Sequence, residues 1–495
     1  MLFGDLIDGP LAEGAGPRPA LIDETGTLSY RDLDRAANRF AHALIAHAIG
    51  VGDRIALRAR NRIACGIITL GAARAGAVLV HLSTRATAAE TEAALVQTGP
   101  RLMFAESGFQ SASVPVVDLD RDAQAWLETG SAGRPQLDLC PDAPLALLFT
   151  GGTTGGAKGV LVSHRARLVT ADLAADGFGL VATDRVLVST PLFHTAALFC
   201  WLAPAWRRGA AAILGSKWSA AKFVAAVERH QVTAAFLVPT QIGDLLEDPG
   251  ATTERLASLR LVCHAGSPMP PNLADRLAAL LPMVEVVEHY GLSETGLLTV
   301  RRGSDPADRR ASVGRAPPPV ELAVRGPDGT FLPSHLVGEI ATRGPHLLGE
   351  LVGGDPATPL FPWHDGWLAT GDRGALDPDG FLTLVARSKD IIVSGAENLY
   401  PGEIEAVLLR HPALAECAVF AVPDDRLGEV PVAQVVLRPG MAATEAELIE
   451  LALSVLPRHK SPRRVLFAPS LPRSAVGKVL KSQLSADYLR DFSRH

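Results

Sequence analysis

Short apolar runs alternate with amphipathic stretches from about residue 50 to residue 300, and this alternation constrains the fold more than any other feature. The stretch Ser219–Gln231 places Phe223, Val224 and Val227 on one helical face, and the apolar run VTAAFLVP (232–239) follows it. Strands that alternate with helices of this length predict parallel β-α-β layers with helices on both faces.

Four segments of unusual composition follow predicted strands. They are a glycine-rich segment (150–159), PLFHT (191–195), CHAGSP (263–268) and HYGLSET (289–295). In parallel sheets ligands bind at the loops that leave the carboxyl ends of strands. We therefore expect these segments to contribute to a binding site.

Length and composition limit the class of protein. A chain of 495 residues predicts two or more domains. A net charge of −6 gives no support to nucleic-acid binding, and the five scattered cysteines do not form a disulfide framework. The amino terminus lacks the pattern of a signal peptide, and the longest apolar run, Ala196–Trp206, is too short to span a bilayer. We expect a cytoplasmic protein that does not bind membranes.

The pattern changes after about residue 315. Two Pro-Asp-Gly turns, within 320–333 and 375–390, lie between extended runs and predict hairpins of a β-rich subdomain at about 315–386. A helix, two strands and another helix then follow within residues 391–495. These predict a domain at 1–386, a hinge at 387–390 and a separate α+β domain at 391–495.

The segment FTGGTTGGAKGV (149–160) contains five glycines, three threonines and one lysine. Glycines let backbone N–H groups point at an anion, and threonine hydroxyls and a lysine add donors and charge. A phosphate-binding loop is the leading interpretation, with a flexible surface loop as the alternative. It is not a Walker loop, because no serine or threonine follows Lys158.

Seven motifs occur in one order along the chain: TGGTTGGAKG (150–159), PLFHT (191–195), HYGLSET (289–295), GEI (338–340), WLATGD (367–372), RSKDIIVSGAENLYPGEIE (387–405) and LPRSAVGKVLK (471–481). Together they resemble the acyl-adenylate-forming superfamily of acyl-CoA synthetases, peptide-synthetase adenylation domains and luciferases. The resemblance implies an α/β fold with a large N-terminal domain of layered β-α-β sheets, a small β-barrel subdomain and a small mobile α+β C-terminal domain.

The resemblance also implies an activity. It implies that ATP, with Mg²⁺, activates a small carboxylic acid to an acyl-adenylate with release of pyrophosphate, and that the acyl group then passes to the thiol of coenzyme A. A carboxylate is a poor electrophile, whereas a mixed anhydride with phosphate has a good leaving group. The enzyme must align the two reactants and neutralise the charge on the leaving pyrophosphate.

Nucleotide-binding positions are carried over from the matching motifs: Thr150, Gly151, Gly152, Thr153, Thr154, Gly155, Lys158, Gly266, His289, Tyr290, Gly291, Asp372, Arg387 and Lys478. The carboxylate oxygens of Asp372 suit two ribose hydroxyls, and Arg387 also approaches the ribose. Glu294 and Thr153 match metal-binding positions, and oxygen ligands suit Mg²⁺. Lys478 is implied to reach the α-phosphate and the carboxylate.

The resemblance implies catalytic roles for four residues: Lys478, Glu294, Ser293 and His194. Ser293 stands where the family usually has threonine and is implied to donate to the α-phosphate. The alternative for Ser293 is a helix N-cap, since Ser-Glu-Thr is common at helix starts. His194 favours an acyl-CoA synthetase over an amino-acid-activating domain, and a packed structural histidine is the alternative.

The remaining positions concern the hinge, the thiol and the acid. Lys389 occupies the family's hinge, and Ser394 and Gly395 match the loop that approaches pantetheine. The acyl pocket is implied to involve residues that are mostly small or apolar: His194, Val238, Thr240, His264, Ala265, Gly266 and Leu292. We therefore expect an uncharged aromatic or short-to-medium aliphatic acid.

Three positions depart from the family pattern. Gly151 replaces a usual serine, Ala157 a usual proline and Ala386 a common glycine. None of these changes removes a charged catalytic group, so we expect adenylation to survive with altered rate or ATP affinity.

Two other functions stay open from the sequence. The same adenylate could pass to a carrier-protein thiol or to a non-thiol nucleophile. Alternatively, the chain could be a nucleotide-binding regulator without catalysis, although the presence of Lys478, Glu294, Asp372 and Arg387 together argues against it. The sequence does not indicate an oligomeric state.

Overall fold

The computed structural model describes residues 1–128, 130–150, 158–267, 269–347, 350–352, 363–387, 390–394, 397–424, 426–473 and 479–492. The strands within these ranges are β1 Pro19–Asp23, β2 Gly26–Ser29, β3 Arg54–Arg58, β4 Val78–His81, β5 Leu102–Ala105, β6 Val116–Asp118, β7 Pro144–Thr150, β8 Lys158–Ser163, β9 Arg185–Val188, β10 Ala211–Leu214, β11 Ala234–Leu237, β12 Leu261–His264, β13 Glu285–Leu292, β14 Gly296–Arg301, β15 Glu321–Arg325, β16 Gly338–Arg343, β17 Glu350–Val352, β18 Trp363–His364, β19 Trp367–Leu376, β20 Leu382–Arg387, β21 Ile392–Ser394, β22 Glu397–Leu399, β23 Leu414–Asp424, β24 Gly428–Leu437 and β25 Val465–Phe467.

The helices are α1 Asp8–Ala12, α2 Tyr30–Ala46, α3 Ile63–Ala75, α4 Ala88–Thr98, α5 Ala123–Glu128, α6 His164–Gly177, α7 Thr195–Ala197, α8 Ala203–Arg207, α9 Ala220–His230, α10 Pro239–Glu247, α11 Pro271–Leu280, α12 Pro401–Leu408, α13 Glu445–Val455 and α14 Lys481–Phe492. A π-helical segment, Leu198–Leu202, joins α7 to α8. Short 3₁₀ turns occur at Phe3–Asp5, Ala307–Arg309 and Arg458–Lys460.

The described chain forms two compact units. The first comprises residues 1–150, 158–321 and 343–352, and the second comprises 322–342 and the described residues from 363 to 492.

The first unit contains two mixed sheets. One has seven strands in the order β17-β8-β7-β4-β3-β5-β6, and the other has eight in the order β14-β13-β12-β11-β9-β10-β1-β2. The inner strands of both sheets are parallel, and the antiparallel pairs lie toward the edges. Several inner strands are short and completely buried, as expected for parallel sheets covered on both faces.

Helices cover both faces of the eight-stranded sheet. On one face, Phe223, Val224 and Val227 of α9 pack with residues of α10 and α11 in a single core cluster. On the other face, Phe178 at the end of α6 lies next to the rings of Trp201 and His289. The predicted β-α-β layering of this region is confirmed.

The second unit contains two smaller sheets. β15, β16, β19 and β18 are neighbours in that order, and β20 pairs with β19. The predicted Pro-Asp-Gly hairpin between β19 and β20 is closed by a hydrogen bond from Asp377 N to Phe381 O (3.0 Å). The last sheet, β22-β21-β24-β23 with β25 beside β24, has one core cluster with α12 and α13 and a second with α14. This is an α+β arrangement.

No helix among the described residues combines the length and apolar character needed to cross a membrane. All five cysteines are free thiols, three of them buried.

Candidate active site

Four neighbouring parallel strands of the eight-stranded sheet, β9, β11, β12 and β13, carry most of the candidate residues of the first unit. Their carboxyl ends form one edge. At this edge lie His194 after β9, Val238 and Thr240 after β11, His264, Ala265 and Gly266 at and after β12, and Tyr290, Gly291, Leu292, Ser293 and Glu294 at and after β13. The structure therefore brings the predicted acyl-pocket and catalytic positions of this unit to a common edge.

Asn61, which sequence reasoning did not identify, anchors the loop after β9. It follows β3 of the other sheet and is 4% exposed. Its Nδ2 donates to the carbonyls of Val188 (3.1 Å) and Thr190 (2.9 Å), and its Oδ1 accepts from Leu192 N (2.8 Å). Nothing in the local sequence marks this asparagine, because its partners lie more than a hundred residues away.

Gln241 connects two of the edge loops. Its Oε1 accepts from the backbone N–H of Val238 (3.0 Å) at the start of α10 and from the hydroxyl of Thr190 (3.2 Å). The loops after β9 and β11 are thus tied by buried polar contacts as well as by the sheet.

His194 is half-buried at the start of α7. Its ring lies 4.4 Å, centroid to centroid, from the ring of Phe193, and its backbone N–H donates to Pro191 O (3.0 Å). The imidazole is therefore at the edge rather than inside the sheet core.

Two other histidines of the edge are buried and uncharged at neutral pH. Burial lowers the pKa of His264 to about 3, with a smaller contribution from Arg301, and lowers that of His289 to about 4. The ring of His289 packs between Phe178 and Phe236. The imidazole of His289 is therefore enclosed by aromatic side chains in the core.

Ser293 and Glu294 lie in a turn between β13 and β14. The helix N-cap interpretation of Ser293 is wrong, because an antiparallel strand follows the turn. The buried Thr295 stabilises the turn, since its hydroxyl accepts from Leu292 N (3.1 Å) and lies 3.2 Å from Gly296 O. Ser293 is half-buried and Glu294 is 5% exposed.

The turn depends on two glycines. A Cβ placed on Gly291 would lie 1.8 Å from the carbonyl oxygen of Gly296, which no adjustment of side chains could relieve. Gly296 itself has φ +70°, in the left-handed region. The glycine after β12, Gly266, also has a positive φ, of +90°.

Arg167 of α6 contacts this turn. Like Asn61, it was not identified from the sequence patterns. Its Nη2 donates to the carbonyls of Ser293 (2.7 Å) and Glu294 (3.3 Å), and its side chain is fully buried. A sequence signal existed, because Arg167 shares one helical face with the buried Ala171 and Ala174, which follow it by four and seven residues.

The glycine-rich segment lies in the other sheet. β7 is parallel to β4 but antiparallel to β8, and Thr150 pairs with Lys158. The segment thus joins two antiparallel strands and does not lead into a helix, unlike a Walker loop. Five nucleotide-binding positions predicted here lie outside the described residues: Gly151, Gly152, Thr153, Thr154 and Gly155.

The two predicted ribose-binding positions of the second unit are cross-strand partners. Asp372 of β19 lies opposite Arg387 of β20 in an antiparallel pair. Asp372 is buried, and its backbone N–H donates to the hydroxyl of Thr370 (3.2 Å), which in turn donates to Ile340 O (2.9 Å). Sequence reasoning named both positions without placing them side by side.

Ser394 is buried at the end of β21, opposite Gly428 of β24. Three further predicted positions, Lys389, Gly395 and Lys478, lie outside the described residues. Arg473 and Val479, which lie on either side of Lys478 in the sequence, form an antiparallel bridge.

The donor set at the turn is compatible with Mg²⁺. The described residues contain no group of three or more His, Cys, Asp or Glu side chains that could hold a metal. Mg²⁺ is usually held by one or two carboxylates together with substrate phosphates, and the buried carboxylate of Glu294 fits that mode.

Comparison with known proteins identifies the family. Residues 11–350 match AMP-binding enzymes, and residues 403–478 match the AMP-binding enzyme C-terminal domain. A fatty acid–[acyl-carrier-protein] ligase, ScoC of Streptomyces coeruleorubidus, is 33% identical over 96% of this chain and 94% of its own length. A feruloyl-CoA synthase of Amycolatopsis is 33% identical over 94% of this chain and 96% of its own.

The fold agrees with this relationship. The crystal structure of ATP-bound MatB from Rhodopseudomonas palustris superposes with a TM-score of 0.90 at 27% identity, covering 99% of both chains. The chain belongs to the AMP-binding enzyme family and is an AMP-forming acid–thiol ligase of the acyl-adenylate-forming superfamily.

Proposed function

We propose that this chain converts an uncharged carboxylic acid to its acyl-adenylate with ATP and then transfers the acyl group to coenzyme A. The observation that supports this most is the common edge formed by β9, β11, β12 and β13. The loops at that edge carry His194, Gly266, Ser293 and Glu294, within the region that matches AMP-binding enzymes.

In the first step a carboxylate oxygen attacks the α-phosphorus of ATP, and the bond to pyrophosphate breaks. Ser293 would donate to the α-phosphate, and Lys478 would approach both the phosphate and the carboxylate. Glu294 and Thr153 would hold Mg²⁺, which lowers the charge on the phosphates when bound. Most of the rate enhancement would come from positioning and electrostatics.

Asp372 and Arg387 would orient the ribose from paired positions on β19 and β20. The carboxylate of Asp372 can accept hydrogen bonds from two hydroxyls. In the second step the thiol sulfur attacks the carbonyl carbon of the adenylate and AMP leaves. Lys389 would serve as the hinge between the two steps, and Ser394 and Gly395 would lie along the path of the thiol.

The acid is proposed to be aromatic or a short-to-medium aliphatic acid. Among the proposed pocket residues, His264 is neutral because its pKa is lowered to about 3. It would therefore supply no positive charge to pair with a second carboxylate on the acid.

A carrier-protein thiol is the second candidate acceptor. It is favoured by the 33% identity to a fatty acid–[acyl-carrier-protein] ligase.

A pyrophosphate-release screen with aromatic, short-chain and long-chain acids tests the first step. Acyl-AMP and thioester should then be measured together with saturating coenzyme A or with a phosphopantetheinylated carrier protein. Adenylate without acyl-CoA would contradict the proposed acceptor. Failure of pyrophosphate release with every acid would contradict the proposed activity.

A further inference from the structure

Arg167 is a buried cation whose position is not explained by the stability of its own helix. It is the fourth residue of α6, whose N-cap is Ser163, and its side chain is fully buried. A buried charge is costly unless it is paired or hydrogen-bonded. The hydrogen-bond partners of Arg167 therefore indicate its structural role.

Within the described part of the chain, the side chain of Arg167 donates two hydrogen bonds, and both go to the turn that carries Ser293 and Glu294. Nη2 donates to Ser293 O at 2.7 Å and to Glu294 O at 3.3 Å. These carbonyls are 126 and 127 residues away in sequence, so the contact connects α6 to the end of β13. A single nitrogen thus contacts the backbone of both proposed catalytic residues.

The guanidinium also packs against a second element and against the end of the turn. Its Cζ lies 5.4 Å from the ring centroid of Phe199 in the π-helical segment, within cation–π range. A Cβ on Gly296, the residue that ends the turn, would lie 2.6 Å from Nη1. The turn and the guanidinium therefore fit together without room for a larger side chain.

Arg167 stays charged under ordinary conditions. A guanidinium keeps its proton in proteins, even at buried sites. A charged donor forms stronger hydrogen bonds to carbonyls than a neutral one.

We propose that Arg167 is a positioning residue that holds the Ser293–Thr295 turn in the conformation that presents Ser293 and Glu294 to the nucleotide. This rests on the roles proposed above for Ser293 and Glu294. Because Arg167 contacts their carbonyls, it acts through these residues and does not touch substrate in this role.

The test compares Arg167→Met, which removes the donors and the charge, with Arg167→Lys, which keeps a charged donor. Arg165→Ala is the matched control, because Arg165 lies on the same helix but is exposed and pairs with Asp142 (2.7 Å). Hydrogen exchange of the amides from Gly291 to Leu297 measures the turn without requiring activity. Pyrophosphate release, normalised to the folded fraction, gives kcat and the KM values.

We expect Arg167→Met to exchange these amides at least about tenfold faster than the parent while the inner strands keep their protection. We expect its adenylation kcat to fall by about tenfold or more, with the KM for the acid changed by less than about threefold, since only the orientation of Ser293 and Glu294 is lost. Arg167→Lys should show smaller changes in amide exchange and in kcat than Arg167→Met, and Arg165→Ala should match the parent in both quantities.

Unchanged exchange in Arg167→Met would overturn the proposal, as would a kcat equal to that of the parent. If Arg167→Met does not fold, Arg167→Lys decides the question: faster exchange confined to the turn together with a lower kcat supports the proposal, whereas a uniform loss of protection throughout the unit, or exchange and kcat equal to those of the parent, overturns it. If the parent releases no pyrophosphate with any acid, the proposed function fails, while the exchange measurement still tests the contact.

Discussion

Replacing Asn61 with alanine should weaken binding of the carboxylic acid while leaving the nucleotide site intact. The change removes three hydrogen bonds, to Val188 O (3.1 Å), Thr190 O (2.9 Å) and Leu192 N (2.8 Å). At about 1 kcal/mol each, their loss lowers the free energy of unfolding of the first unit by about 3 kcal/mol.

Two of the three bonds hold the segment that leads into His194. If the acid must order this segment when it binds, about 2 kcal/mol opposes binding. The KM for the acid should then rise by about 30-fold. The KM for ATP should change by less than about threefold, because none of the proposed ATP ligands that the structure describes is a hydrogen-bond partner of Asn61. Pyrophosphate release at varied acid and at varied ATP measures both constants.

Asn38→Ala is the matched control. Asn38 is also buried, and its side chain makes three hydrogen bonds: to Asp34 (3.4 Å), to Ala132 O (2.8 Å) and from Arg74 (2.8 Å). Asn38→Ala should lower the free energy of unfolding by a similar amount without altering the KM for the acid. The reasoning is refuted if the two variants raise that KM equally, or if Asn61→Ala leaves it at the parental value.

Three other perturbations have defined outcomes. Gly291→Ala places a Cβ 1.8 Å from Gly296 O, so it should cost at least about 3 kcal/mol in urea unfolding and abolish adenylation; a fully active variant would contradict the geometry. Lys478→Ala should slow adenylation by on the order of a hundredfold but spare thioester formation from preformed acyl-AMP, and equal loss of both half-reactions would contradict the proposed role. Burial lowers the pKa of His264 from 6.5 to about 3. The unfolded chain therefore takes up this proton at a higher pH than the folded chain does. The folded state loses no stability from this group above pH 6.5, and it loses stability as the pH falls toward 3, by about 2 kcal/mol at pH 5. His264→Leu should therefore show a shallower loss of stability between pH 7 and pH 5 than the parent, and parallel curves would exclude this cause.

Local sequence patterns predicted many elements of secondary structure. The predicted helix Ser219–Gln231 is α9, Ala220–His230, with Ser219 as its N-cap and with Phe223, Val224 and Val227 buried. The second helix predicted within residues 391–495 is α13, Glu445–Val455, where Thr444 and Glu447 form a capping box. These signals are local, because caps and apolar periodicity involve residues within one or two turns of each other.

The turn at Ser293 shows where local reasoning fails. Ser-Glu-Thr matches both a helix start and a strand connection, and β14 pairs with β13 only because Gly291 and Gly296 permit their close approach. The contact from Arg167 to this turn spans more than a hundred residues. No window of the sequence contains both partners.

The sequence by itself determined the family, the order of the motifs and the residue types available for chemistry, because these properties depend only on the order of residues along the chain. Only the tertiary structure decided that β9, β11, β12 and β13 are neighbours, that Asn61 anchors the loop after β9, and that the ring of His289 lies in the core. Strand order and burial arise from packing between segments that are far apart in sequence. The free energy of that packing depends on the whole arrangement and on no single motif.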